Sequence, residues 1–144
     1  MIYTPLTAKA LNTAYTAHMG QTDRSGIPYI FHPYHVAEQM ETEETAAIAL
    51  LHDVCEDTDI TPEQLLEMGF PENVVEGVRA MTHKKDEDYF DYIRRIKSNP
   101  AAVAVKLADL RHNSDTSRLS TVTEKDIARL KKYRQAERIL TDGE

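Results

Sequence analysis

The sequence predicts an all-α domain, a helical bundle of about eight helices. Two observations carry the helical part of that expectation. Apolar residues recur three and four positions apart along nearly the whole chain, and threonine or asparagine followed by proline stands where helices would open. The strand reading of Val103-Ala104-Val105 is weaker than a helical one, because the neighbouring alanines favour helix. Thr4-Pro5 reads as a cap with proline in the first turn, followed by Leu6, Ala10, Leu11, Ala14, Tyr15 and Ala17 on one face and a stop at Gly20. Residues 22–28 form a loop by composition, and His32-Pro33 starts a short helix through Val36 and Met40. From Glu43 to about Cys55 the chain is apolar almost all round, the mark of a central, buried helix. Thr61-Pro62-Glu63-Gln64 opens a helix that ends near Gly69, and Pro71 opens one carrying Val74, Val75, Val78 and Met81. Tyr89, Tyr92, Ile93 and Ile96 mark the next, closed by Asn99-Pro100; Ala101 to about Asp115 follows. Thr123 caps a last helix with Ile127, Leu130, Tyr133 and Ala136 on one side.

The 144 residues suit a single domain, 1–144. With 17 Lys+Arg against 24 Asp+Glu the net charge is −7, which argues against a nucleic-acid polymer as partner. The single cysteine, Cys55, excludes an intramolecular disulfide framework and a cysteine-rich zinc site. No apolar run approaches the roughly 20 residues of a membrane span, and the first residues lack a signal-peptide pattern, so a cytoplasmic protein without membrane association is the expectation. Homo-oligomerisation stays open.

Four polar residues sit in apolar surroundings. His52-Asp53 follows Ala49-Leu50-Leu51, Asp109 follows Val105-Lys106-Leu107-Ala108, and His32 lies in Tyr29-Ile30-Phe31-His32-Pro33. An isolated His-Asp pair is usually accidental, Asp109 could be paired with Arg111, and His32 could cap its helix. Together, however, two imidazoles and two carboxylates make a mixed nitrogen–oxygen donor set suited to one divalent ion, Mn, Fe, Co or Zn. Burial of the carboxylates requires such compensation. On a continuing helix Glu56 and Asp57 lie one turn beyond His52 and Asp53, which supplies carboxylates for proton handling beside the ion.

His32, His52-Asp53 and Asp109 resemble the H…HD…D signature of the HD-domain metal-dependent phosphohydrolases. The segments 17–21, 25–33, 49–58 and 105–113 resemble, more narrowly, the RelA/SpoT-type (p)ppGpp hydrolase domain, over about residues 8–115. The resemblance implies that His32, His52, Asp53 and Asp109 bind one metal ion, typically Mn2+. It implies that Glu56 and Asp57 are catalytic, orienting or activating water and assisting the leaving group. It also implies that Arg24, Ser25, Asn113 and Tyr133 meet a small nucleotide substrate, whose 3′-pyrophosphate is removed. The chain ends where a synthetase domain would begin, the pattern of a small stand-alone hydrolase.

Two departures bear on the substrate. Asp23 stands where that family has an arginine that stacks on guanine, and Asp115 stands at a position that often carries a cation. Both add negative charge where a polyanion would bind, and Asp23→Arg is expected to improve (p)ppGpp hydrolysis. The alternatives are the same centre acting on another nucleotide (a mono- or triphosphate or a phosphorylated dinucleotide) and a non-catalytic nucleotide sensor. The intact Glu56-Asp57 pair argues against the sensor. Lys84 or Lys85 could reach a phosphate, whereas the basic residues Arg129, Lys131, Lys132, Arg134 and Arg138 read as a solvated helix face.

Overall fold

The computed structural model describes residues 1–117 and 119–142. Among them there are helices and no strand: α1 (Pro5–Ala17), α2 (Phe31–Glu38), α3 (Glu43–Leu51), α4 (Val54–Asp57), α5 (Pro62–Glu67), α6 (Glu72–Met81), α7 (Tyr89–Ile96), α8 (Pro100–Asn113) and α9 (Glu124–Asp142). The all-α expectation holds, with α4 a single turn that continues α3 after a break.

The caps follow the sequence. Thr4 and Thr61 each close a capping box, with Thr7 and Gln64 answering three residues on. Thr42, Asp88 and Asn99 cap α3, α7 and α8 through their side chains. Gly20 and Gly69 take the positive φ that ends α1 and α5.

The centre of the bundle is α3. Every residue from Ala46 to Leu51 is fully buried, and α1, α2, α6 and α8 pack around it. Complete burial of a Leu or Ile side chain is worth about 1.5–3 kcal/mol, so this helix is the anchor of the fold. Gly77 of α6 leaves the room that Ile48 of α3 occupies.

Three expectations change. The helix expected from Glu43 to Cys55 breaks at His52-Asp53, because the His52 ring folds back onto the Ala49 carbonyl at 2.5 Å and ends α3. Tyr15, expected on the buried face of α1, is 56% exposed; the small Thr7, Ala10 and Ala14 make that face instead. On α9 the buried side is Asp126, Ala136, Ile139 and Leu140, while Ile127 is exposed. Asp126 is held there by the N–H and hydroxyl of Thr123 and by Arg24, 102 residues away in sequence, at 2.6 Å.

Candidate active site

Three parts of the bundle converge on one point. His32 comes from the first turn of α2, His52 and Asp53 from the break between α3 and α4, and Asp109 from the third turn of α8. Nε2 of His32 lies 2.9 Å from Oδ1 of Asp109 and 3.8 Å from Oδ2 of Asp53. Nε2 of His52 lies 3.1 Å from Oδ2 of Asp53 and 3.5 Å from Oδ1 of Asp109. With ligand bonds of about 2.1 Å, donors around one ion sit about 3.0 Å apart at right angles and about 3.4 Å apart in a tetrahedron. Three of the four separations lie within about 0.1 Å of that range and the His32–Asp53 distance is wider; His32, His52 and Asp109 by themselves form a buried group able to hold a metal ion.

The local fold sets which nitrogen of His52 faces the centre. Its Nδ1 proton goes to the Ala49 carbonyl, so Nε2 is the nitrogen that faces the cluster and, in the neutral ring, carries the lone pair. That Nε2 is buried and has no well-aligned hydrogen-bond partner, as a ligand atom aimed at a cation would be. His32 is placed similarly: its Nδ1 lies 2.6 Å from Nδ1 of His112, whose ring stacks on it at 4.9 Å, with His35 against the other ring at 4.3 Å. The residues present therefore fit a divalent ion.

Both carboxylates are held ionised by the groups packed around them. Burial by itself would raise the Asp109 pKa, but Lys106 outweighs it, with hydrogen bonding to the two histidines, and holds the acid well below the usual carboxylate range. The Lys106 ammonium reaches Oδ2 at 2.9 Å, and the Asn113 amide donates to Oδ1 at 2.9 Å. For Asp53 burial again opposes ionisation and His52 overcomes it; the Tyr29 hydroxyl donates to Oδ2 at 2.5 Å. Lys106, Asp109 and Asn113 share one face of α8 at spacings of three and four residues.

Glu56 and Asp57 of α4 line the cleft over this centre, together with Tyr29, His83, Tyr89, Lys106, Lys132 and Tyr133, in a volume of about 240 Å³. The Glu56 carboxylate accepts the backbone N–H of His83 at 2.7 Å. Burial pushes the Glu56 pKa up; the His83 N–H opposes this, and Asp53 and Asp57 add to it. Burial, then Asp53, pushes Asp57 up as well. Acids raised in this way can exchange protons nearer neutral pH.

A second cleft of about 340 Å³ adjoins the first, and Tyr29, Asn113 and Tyr133 belong to both walls. Arg24 and Ser25 line it, with Asp23, Asp115, Asp126 and Arg129. Arg24 is paired with Asp126, as is Arg129. Asp23 Oδ1 accepts the N–H groups of Ser25 at 2.8 Å and Ile27 at 3.0 Å, so its carboxylate closes the loop. The geometric basis for expecting Asp23→Arg to help is thereby removed. Lys84 and Lys85 are exposed on the loop before α7, whereas Lys132 and Arg129, read as solvated, line the two clefts.

The ten residues given a metal, catalytic or substrate-binding role from the sequence thus lie in or beside these adjoining clefts. Sequence reasoning missed Tyr29 and Lys106, the partners that orient Asp53 and Asp109, and it missed Lys132. No helix among the described residues is long and apolar enough to cross a membrane.

Comparison with known proteins agrees with this geometry. The chain is 34% identical over 139 residues, 86% of its length, to a probable guanosine-3′,5′-bis(diphosphate) 3′-pyrophosphohydrolase of Synechocystis. It is 39% identical over 127 residues, 75% of its length, to the bifunctional (p)ppGpp synthase/hydrolase SpoT of Escherichia coli K12. The chain spans 18% of the length of each of these relatives. A solved structure of a metazoan ortholog of SpoT that hydrolyzes ppGpp superposes with a TM-score of 0.76 at 24% identity, covering 97% of this chain and 87% of that one, and so shares its fold. A family model described as HD domain matches residues 10–132. The chain belongs to the HD-domain family.

Proposed function

We propose that this chain is a metal-dependent phosphohydrolase that removes pyrophosphate from the 3′ position of guanosine tetra- or pentaphosphate, with Mn2+ as its resident ion. The observation that carries the reading is the convergence of two imidazole nitrogens and two carboxylate oxygens within 2.9–3.8 Å, beneath a Glu-Asp pair in an open cleft. The names of the bacterial relatives support the substrate.

His32, His52, Asp53 and Asp109 would hold the ion. When bound, it supplies Lewis acidity toward a phosphoryl oxygen and lowers the pKa of water. The nucleoside occupies the outer cleft beside Arg24 and Ser25, with its sugar against Asn113 and Tyr133 at the shared wall. The 3′-phosphorus then lies over the His-Asp cluster. Water attacks that phosphorus, the new P–O bond forms as the P–O3′ bond breaks, and the products are the 5′-di- or triphosphate and pyrophosphate. Glu56 takes the proton from the water, and Asp57 delivers one to O3′. Tyr29 fixes Asp53, and Lys106 fixes Asp109 and keeps it ionised, so that Asp109 does not take up the proton being moved.

A second reading, the same centre acting on another nucleotide, is favoured by one observation. Both arginines of the outer cleft are paired with Asp126, and Asp23 and Asp115 lie nearby, so that end of the site offers little net positive charge. Purified Mn-loaded protein, tested on ppGpp, its adenosine counterpart, and nucleoside mono- and triphosphates with phosphate and pyrophosphate read separately, decides between the two. Pyrophosphate release from ppGpp well above that from the other nucleotides is expected. Faster turnover of another nucleotide would replace the first reading with the second.

A further inference from the structure

The cleft over the His-Asp cluster is lined by two lysines with different tasks. Lys106 is committed to Asp109. Lys132, from α9, makes no ion pair among the described residues; its ammonium lies over the Tyr89 ring, 4.4 Å from the centroid, and 5.7 Å from that of Tyr133. With no carboxylate paired to Lys132 among the described residues, an arriving anion meets no competitor there; burial and the neighbouring cations Arg129 and Lys106 pull its pKa below the usual lysine value.

Beside it, the Tyr89 hydroxyl is buried in the wall of the same cleft and has no hydrogen-bond partner among the described residues. A buried hydroxyl left unmatched is costly, and natural structures rarely keep one without a role. It lines one cleft with Glu56, Lys106 and Asp109, beside the reacting centre. Burial pushes its pKa up to about 12, so it remains a donor.

These two groups supply one cation and one neutral donor, the equipment for a phosphate oxygen. Their place follows from the two clefts. A nucleotide with its sugar at the shared wall and its scissile phosphorus over the His-Asp cluster must send any further phosphate deeper into the inner cleft, which Lys132 and Tyr89 line. We propose that the Lys132 ammonium and the Tyr89 hydroxyl form a subsite for the terminal phosphate of the pyrophosphoryl group, and that this subsite makes the centre prefer a 3′-diphosphate over a 3′-monophosphate. The inference rests on the hydrolase reading above and adds to it which residues recognise the second phosphate.

The test uses the full chain loaded with Mn2+ and the variants Lys132→Met, which keeps the apolar stem, and Tyr89→Phe, which removes only the hydroxyl. Lys131→Met, exposed on the other side of α9, is the control. Calorimetry measures inorganic pyrophosphate and orthophosphate binding. Kinetics compare guanosine 5′-diphosphate carrying a 3′-diphosphate with the same nucleotide carrying a 3′-monophosphate.

Lys132→Met is expected to weaken pyrophosphate binding, and to lower kcat/KM on the 3′-diphosphate, by about tenfold or more. Tyr89→Phe should act in the same direction with a smaller effect. Orthophosphate binding and the 3′-monophosphate should change less than about twofold in both variants. Unchanged pyrophosphate affinity in both, or equal losses on the two nucleotides, would overturn the subsite. A wild-type protein that hydrolyses neither nucleotide would instead overturn the hydrolase reading, and the pyrophosphate titration would still decide the subsite.

Discussion

Substitution of Gly77 by alanine tests whether the packing that presents His52 and Asp53 is as tight as it looks. A Cβ at this position would lie 2.3 Å from Cδ1, 2.8 Å from Cγ1 and 3.3 Å from Cγ2 of Ile48. Ile48 is fully buried on α3, so its end cannot swing into solvent and must repack. Overpacking of this kind costs about 1–3 kcal/mol. The better helix propensity of alanine returns up to about 1 kcal/mol. The net expectation is a loss of about 1–2 kcal/mol, which for a chain of this size lowers Tm by roughly 3–6 °C. Ile48→Val removes Cδ1, the atom in closest contact, at a cost of about 0.5–1.5 kcal/mol alone. Chemical denaturation of wild type, both single variants and the double variant gives the coupling. The double variant should be more stable than the sum of the singles implies, by about 1 kcal/mol. A Gly77→Ala protein as stable as wild type, or strictly additive effects, would refute the reasoning and show that α6 and α3 pack with slack.

Three further outcomes follow from named contacts. Glu56→Gln should retain the ion, because Glu56 is held by the His83 N–H and lies outside the His-Asp cluster, yet lower turnover by roughly 100-fold; elemental analysis and kcat on the same sample check both halves. Asp23→Arg should raise KM for ppGpp severalfold, since it loses the acceptor that binds the Ser25 and Ile27 N–H groups; a fall in KM would mean that the guanidinium finds the base despite the opened loop. Glu87 is doubly hydrogen-bonded to Arg95, which holds its pKa at about 2 in the folded chain against an ordinary 4.5. A depressed carboxylate pKa contributes stability that is present above about pH 4.5 and lost as pH falls through about 2. Because both groups meet solvent, Glu87→Gln should cost only about 1 kcal/mol at pH 7 and nothing near pH 2, measured by denaturant titration across that range; a penalty independent of pH would assign it to packing.

The His-Asp cluster is legible because charge in an apolar helix violates the expected pattern and asks for compensation. His52-Asp53 behind Ala49-Leu50-Leu51, and Asp109 behind Leu107-Ala108, stand out in the bare sequence. Their supports did not. Lys106 on an alanine-rich helix reads as a surface lysine, and Tyr29 as part of an apolar stretch; only the packing of α8 and of the loop before α2 shows that both are spent on carboxylates. The break after Leu51 was hidden because His52 and Asp53 keep near-helical backbone angles, and the imidazole bond that ends α3 leaves no periodic trace. On α9 apolar spacing favours Ile127, but Asp126, held by Thr123 and by the distant Arg24, lies on the inward side, with Arg129 lining the outer cleft and Lys132 the inner one.

The most direct test follows ppGpp by phosphorus NMR in oxygen-18-enriched water, with the chain stripped of metal and then reloaded with Mn2+. The account predicts no turnover without the ion. With it, GDP and pyrophosphate should appear in equal amounts, with one labelled oxygen in the pyrophosphate and none in the GDP, because water attacks the 3′-phosphorus. Release of orthophosphate, label in the GDP, or undiminished turnover by the metal-free chain would contradict it.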